Sequence, residues 1–285
     1  MHSLPIFVIN LDRSPERLAL MEAQAGALGL GFERVPGIDG TKALPAWVVT
    51  QFLGELGQAP TALSKGEVGC YASHLRVMSK IIDHRLEAAI VLEDDALLDE
   101  SFARNAERAV RAAPEGWDCI HLSTNFKRPA FPIADLELGV SLVRYMRQPI
   151  NSTAYIISLA GAVKLAAPRR RTCPFDVEFR QPWLSGLEIF GTYPALVHPN
   201  QYLASTIEAD WKAPHLKTRR RRKAHQQVMW KPRLGSQVHG WFYVLTRLGM
   251  AGALHCSTAT LRRSGSRPVR PPVRALPQLL KAKSI

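Results

Sequence analysis

An α/β domain built on a doubly wound, mostly parallel sheet is the fold this sequence predicts, and three observations predict it. Apolar runs and amphipathic helical stretches alternate as β-α-β-α-α-β-α-β within the first 122 of 285 residues. That order belongs to a parallel sheet covered on both faces. The runs are short and rich in β-branched and aromatic residues, as buried strands are. Three of the first four end in polar or acidic residues, at the edge where such a sheet holds its ligand.

"PIFVIN" (5–10) opens the sheet as a buried strand. Ser14-Pro15-Glu16 then starts a helix, with Ser as the cap, Pro in the first turn and an acid near the positive dipole end. Leu18, Met21, Ala25 and Leu28 share one face of it, and "GLG" (29–31) ends it. "FERVP" (32–36) is a second strand, followed by the turn "GIDG" (37–40). "ALPAWVVTQFLGELG" (43–57) reads as helix, weakened by its Val pair. Ser64 and Glu67 form a capping box, and Val68, Tyr71, Leu75, Met78 and Ile82 carry the apolar face of the next helix to about residue 86. "AAIVL" (88–92) is the third strand, "SFARNAERAVRAA" (101–113) a helix and "WDCIHL" (117–122) the fourth strand. Beyond it a Pro-containing loop leads to strand-like "SLVRYMR" (141–147) and "STAYIIS" (152–158), then a short helix over 159–167. The stretch from "RRRTCPFD" onward carries no assignable pattern.

The net charge of +13 hides a division. No acidic residue follows Asp210, while 17 of the 37 Lys and Arg lie in 211–285, so residues 1–210 hold 20 basic against 24 acidic groups. We expect a catalytic domain over 1–211 and a basic tail over 212–285, helical or partly without fixed structure. The four cysteines show no Cys-x-x-Cys pair and no His at ligand spacing, which argues against structural zinc and disulfides and for a reducing compartment. No secretory signal is visible and no apolar run reaches the ~18 residues of a spanning helix. The expectation is a soluble or peripheral protein of the cytoplasm.

The "EDD" of "IVLEDDALL" (90–98) sets three like charges at a strand end without an obvious counter-charge. Carboxylate oxygens suit Mg²⁺ or Mn²⁺, which bridge to phosphate oxygens of a substrate. Alternation along the strand turns Glu93 and Asp95 to one side, as the metal ligands, and Asp94 to the other, where it binds ribose or caps a helix. The competing reading is a solvated turn feeding the helix at 101.

"FVINLDRSPERLALM", "GIDG", "LSKGEVGCYASHLRVMSKI" and "AAIVLEDDALL", in that order, resemble glycosyltransferase family 25; "STAYIISLAGAVKLA", "PFDVEF" and "YPALVHPNQYLASTI" extend the likeness to about 1–207. The resemblance implies a GT-A fold, a UDP-sugar donor, Mn²⁺ or Mg²⁺ at the acidic motif, inversion at the anomeric carbon, and transfer of a hexose (galactose or glucose). The acceptor it implies is a lipid-linked or oligosaccharide glycan of the lipopolysaccharide or lipooligosaccharide type. On that reading Asn10, Leu11 and Arg13 lie under the nucleotide, Arg17 pairs with phosphate, Asp39 and Gly40 turn beside the donor, and His74 positions it by a hydrogen bond. A base must take the acceptor proton in line. Of Asp176, Glu178 and Glu188, Asp176 in "CPFD" matches the family's acidic position and is our choice; its alternative is an ion pair with Arg169–Arg171. Gln201 and Ser205 also match, without a derivable role.

Seventeen cations, Trp211, Trp230 and Trp241, and the apolar stretch 241–256 suit docking on an anionic membrane. No nucleic-acid-binding module accompanies the charge, which disfavours that partner. The rival from another class is a membrane- or nucleic-acid-binding protein with a vestigial acidic site. A phosphoesterase ranks last, for want of a second His and Asp cluster.

Overall fold

The computed structural model describes residues 3–53, 63–123, 130–145, 148–169, 171 and 173–200, together with 238, 241, 242 and 245. Among the described residues up to 200 there are ten strands and seven α-helices: β1 Ile6–Asn10, α1 Pro15–Ala27, β2 Glu33–Pro36, α2 Ala46–Val48, α3 Lys65–Asp83, β3 Ala88–Glu93, β4 Ala96–Leu98, α4 Phe102–Ala112, β5 Cys119–His121, β6 Ala130–Asp135, β7 Ser141–Tyr145, β8 Ala154–Ser158, α5 Leu159–Ala166, α6 Phe175–Glu178, α7 Pro182–Ser185, β9 Ile189–Tyr193 and β10 Val197–Pro199.

Eight strands form one sheet in the order β2-β1-β3-β8-β5-β9-β7-β6. β1, β2, β3, β5, β6 and β9 share a direction, and only β7 and β8 oppose it. The expected α/β sheet is therefore present and mostly parallel by direction, and the reversed pair makes the pairings beyond β3 mixed. Alternate residues of each strand point to opposite faces. Val8, Ile90, Ile120 and Ile156 pack on α1 and α4 through Met21, Phe102 and Ala106. Phe7, Val91, Cys119 and Tyr155 pack under α3 and α5 with Val77, Met78, Ala162 and Leu165. Two cores on two faces are what a doubly wound sheet requires.

Three local expectations change. The helix over 43–57 shrinks to α2 and a π-helical turn, Val49–Leu53, where Val48, Val49 and Thr50 in succession disfavour a regular α turn; the rest of that stretch lies outside the described residues. Ser14 precedes α1 but its hydroxyl makes no capping bond, and the buried residue instead gives its carbonyl to the Asn10 amide at 2.9 Å. The face of α1 that is buried consists of Arg17, Met21 and Ala25, so a cation rather than Leu18 completes the stripe. The capping box of Ser64 and Glu67 forms in both directions. β4, β6, β9 and β10 had no strand signal. β4 and β10 pair as a small antiparallel ribbon directly after the acid triplet, and Gln24 of α1 clamps it, donating to the Ala96 carbonyl at 3.1 Å and accepting from the Leu98 N–H at 3.0 Å. Among the described residues no helix is long and apolar enough to cross a membrane. The boundary near 211, Gln201 and Ser205 lie outside the described residues.

Candidate functional site

β1, β2 and β3 run parallel, with Asn10 opposite Pro36 and Ile9 opposite Glu93, so their carboxyl ends open on one side. A cleft of about 790 Å³, counted out to its mouth, lies there. Leu11 and Arg13 from the β1 exit, Arg17 from α1, Asp39 from the turn after β2, His74 from α3 and the triplet Glu93, Asp94 and Asp95 all line it.

The turn 37–40 reaches the cleft because two glycines let it dock on the start of α3. A Cβ on Gly69 would lie 2.4 Å from the Ile38 carbonyl oxygen, and one on Gly40 would overlap the Lys65 carbonyl. The Ser73 hydroxyl joins the two elements, accepting from the Ile38 N–H and donating to the Gly69 carbonyl, both at 2.7 Å. At the rim Asp39 pairs with Arg13 at 3.1 Å and accepts from Thr41. Burial works the other way, but Thr41 and Arg13 hold the Asp39 carboxyl below its ordinary value.

The acid triplet divides three ways. Asp94 turns back into the protein: Asn10 donates to it at 2.7 Å and Arg17 reaches its other oxygen at 2.7 Å. Arg34 orients that Asn10 amide by donating from Nε to its Oδ1 at 3.0 Å. Burial still pushes Asp94 up against the pull of Arg17 and Asn10. Asp95 touches Arg17 at 3.2 Å through one oxygen, while its Oδ1 is buried without a hydrogen-bond partner among the described residues. Burial, then the charges of Glu93 and Asp94, pushes Asp95 up to about 7. Glu93 takes the Ser152 hydroxyl at 2.5 Å and lies 3.3 Å from His74 Nε2. Burial raises it, but those hydrogen bonds and the charge of Arg17 outweigh burial and hold Glu93 low. Glu93 and Asp95 have side chains about a quarter exposed, at 25% and 24%, against 10% for Asp94, although all three line the cleft.

This donor set fits a hard divalent cation. An orphaned carboxylate oxygen beside two further acids is an anionic pocket short of positive charge, and oxygen ligands suit Mn²⁺ or Mg²⁺.

His74 is buried in α3, with Nδ1 2.9 Å from the Tyr155 hydroxyl and its ring stacked on Phe175 at 4.1 Å between centroids. Asn10 stands behind the cleft and acts on it through Asp94. Asp176, the chosen base, is not among the lining residues. It sits on α6 beside Phe175, and burial followed by the charge of Glu93 pushes its carboxyl up to about 6. Arg169 and Arg171 pair with Glu178 instead. Glu188 is taken by Arg144 at 2.5 Å. Sequence reasoning missed Arg34, Cys70, Ser152 and Tyr155. Cys70 and His74 stand four apart on a helix already assigned, a spacing that marks one face and corrects the expectation that no His lies at ligand spacing from a cysteine; the others carry no local signal.

Residues 3–177 match the family described as Glycosyltransferase family 25 (LPS biosynthesis protein). A Mus musculus protein named Inactive glycosyltransferase 25 family member 3 is 30% identical over 236 residues, which are 72% of this chain and 38% of that protein. A Glycosyltransferase 25 family member of Drosophila pseudoobscura pseudoobscura is 34% identical over 183 residues, 60% of this chain and 28% of that protein. Procollagen galactosyltransferase 2 of Mus musculus is 26% identical over 249 residues, 74% of this chain and 40% of that protein. The chain spans about two fifths or less of the length of these relatives. An α/β sheet with an acid-lined cleft at its carboxyl edge, matched in this way, defines a glycosyltransferase domain. Within that class, the chain belongs to glycosyltransferase family 25.

Proposed function

We propose that the domain moves a hexose from a UDP-linked donor to a lipopolysaccharide-type glycan, with Mn²⁺ or Mg²⁺ held by Glu93 and Asp95. The observation that carries this is the unpartnered Oδ1 of Asp95 in a cleft where three parallel strands end. A bound cation supplies charge neutralisation for the donor diphosphate as its bond to the sugar breaks. The chain's own residues do the rest. Arg13 and Arg17 add positive charge along the cleft, and the N-terminus of α3, which brings Gly66 to the wall, favours a negative group there. Leu11 and Ile9 give the base and ribose an apolar seat. Asp94, fixed by Asn10 and Arg17, holds the turn that aims its two neighbours. Asp176, pushed to about 6 by burial and the charge of Glu93, stays the chosen base although it stands outside the cleft's lining, and it would serve only an acceptor that reaches α6.

A galactose donor draws support from the relative named Procollagen galactosyltransferase 2, and the glycan acceptor from the family's description. The tail over 212–285 would hold the enzyme on an anionic membrane at the cytoplasmic face: Val238, Trp241, Phe242 and Leu245 are exposed apolar residues at helical spacing within the basic stretch. The test is a panel of UDP-hexoses with and without Mn²⁺. Transfer or donor hydrolysis that needs the metal, is lost in Asp95→Ala and falls in Asp176→Asn supports the reading. An unaltered rate in Asp95→Ala overturns it.

A second reading has its own observation: relatives in this family are named inactive, and Arg17 already pairs with Asp94 and Asp95. A retired site predicts no thermal shift with UDP and Mn²⁺, beside salt-sensitive vesicle binding that Asp95→Ala leaves intact.

A further inference from the structure

We propose that the cleft takes a thiophilic divalent ion of the Zn²⁺ class between Cys70, His74 and Glu93, at a second position beside the oxygen-lined one at Asp95. One ligand atom from each of the three lies within 4.8 Å of the other two. Cys70 and His74 are one helical turn apart on α3 and present the same face, and Glu93 at the end of β3 closes the third corner. All three line the cleft, so a bound ion keeps a fourth position open to water or ligand.

The surroundings are those of a metal-bound imidazole. The Tyr155 hydroxyl lies 2.9 Å from His74 Nδ1 and fixes the ring from its far side, while Phe175 stacks on its face. An outer partner of this kind sets the tautomer and the aim of a ligating histidine. Burial, then the carboxylates of Glu93, Asp176, Glu67 and Asp95, push the Cys70 thiol up, so the free site keeps the S–H and an arriving cation has to displace its proton. Carboxylate alone does not discriminate among divalent ions, whereas a thiolate and an imidazole select zinc over manganese or magnesium. On binding, a metal–sulfur bond replaces the Cys70 S–H and that proton leaves to solvent. Ligation would require the His74 tautomer with its proton on Nδ1, facing the Tyr155 oxygen, which leaves the Nε2 lone pair for the ion. Because Glu93 serves both positions, zinc and manganese compete for it.

The experiment uses the purified chain with cobalt(II) and zinc alone, without nucleotide, so its failure is separate from failure of the sugar-transfer reading. One equivalent of cobalt is expected to produce the near-ultraviolet sulfur-to-cobalt band, which zinc displaces and magnesium does not. Cys70→Ser removes the band, His74→Gln weakens zinc binding at least ~tenfold, and both keep the wild-type near-ultraviolet circular dichroism. Zinc also slows alkylation of Cys70 in the wild-type chain, read by peptide mass mapping, a measurement independent of any variant's folding. No thiolate band, a band that survives Cys70→Ser, or Cys70 alkylation that zinc leaves unchanged overturns the proposal.

Discussion

Asn10 donates its side-chain amide to Asp94 across 2.7 Å, joining the ends of β1 and β3 beneath the cleft. Arg34 holds the amide oxygen and the Ser14 carbonyl takes the second amide proton, so nearly every polar atom of a buried side chain is engaged. Asn10→Ala strips all three contacts and leaves Asp94 to Arg17 alone. The expected loss is about 2 kcal/mol in urea unfolding, with weaker binding of UDP and manganese. Arg34→Ala should give a smaller loss of the same kind, because it frees the amide without removing it.

Asp95→Asn should stabilise the metal-free protein at neutral pH while abolishing its manganese-dependent thermal shift. The folded carboxyl is raised to about 7 from 3.8, so between those values the folded chain keeps a proton that the unfolded chain has lost. Stability present below about pH 4 therefore falls as the pH rises through 7, and the amide abolishes that fall. Discounted for a side chain 24% exposed, the gain at pH 7.5 is about 2 kcal/mol. A lower melting temperature for the variant at that pH would show Asp95 to be a structural acid.

Gly69→Ala and Gly26→Ala should move stability in opposite directions. At Gly69 the new carbon meets backbone, the Ile38 carbonyl at 2.4 Å and the Gly40 nitrogen at 2.7 Å, and backbone yields poorly. Separation of the turn from α3 should lower stability by about 3 kcal/mol and loosen nucleotide binding. Gly26, near the end of α1, has open space around it, and alanine there should add about 0.5 kcal/mol. Melting curves of the pair check both signs.

His121 gives the acid limb of the stability profile. It is wholly buried on β5 against Phe179, and neither ring nitrogen has a partner among the described residues. Burial depresses it from 6.5 to about 3, so below pH 6.5 the unfolded chain takes a proton that the folded chain refuses. His121 alone should lower stability as the pH drops from 6.5, by about 2 kcal/mol at pH 5, against the opposite contribution of Asp95. His121→Leu should flatten that limb in urea melts at pH 5 and pH 7.5; an unchanged slope would assign the acid sensitivity elsewhere.

Much of this molecule is readable locally. The Ser64 and Glu67 box, the β1 run and the position of "EDD" after β3 are signalled by neighbours within a few residues, and the structure has each of them. The expected alternation does not divide the triplet: β3 ends at Glu93, Asp94 and Asp95 lie in the turn before β4, and Arg17 contacts both. What escapes is whatever depends on distant chain. Arg17 looks like the polar flank of α1 and is 8% exposed, because its partners sit nearly eighty residues away. β4 and β10 are three residues each and exist only as a pair. Ser152 and Tyr155 reach Glu93 and His74 through the direction of β8, which no pattern within its five residues encodes.

That reversed strand has a consequence for how the cleft can vary within the family. Because β8 runs against β3, its entrance rather than its exit abuts the rim, and the Thr153 carbonyl there accepts the Glu93 N–H at 2.8 Å. The segment arriving before β8 thus borders the acids while the ladder below stays untouched. Exchanging that approach between relatives would reshape one wall of the cleft and leave the ends of β1, β2 and β3 in place.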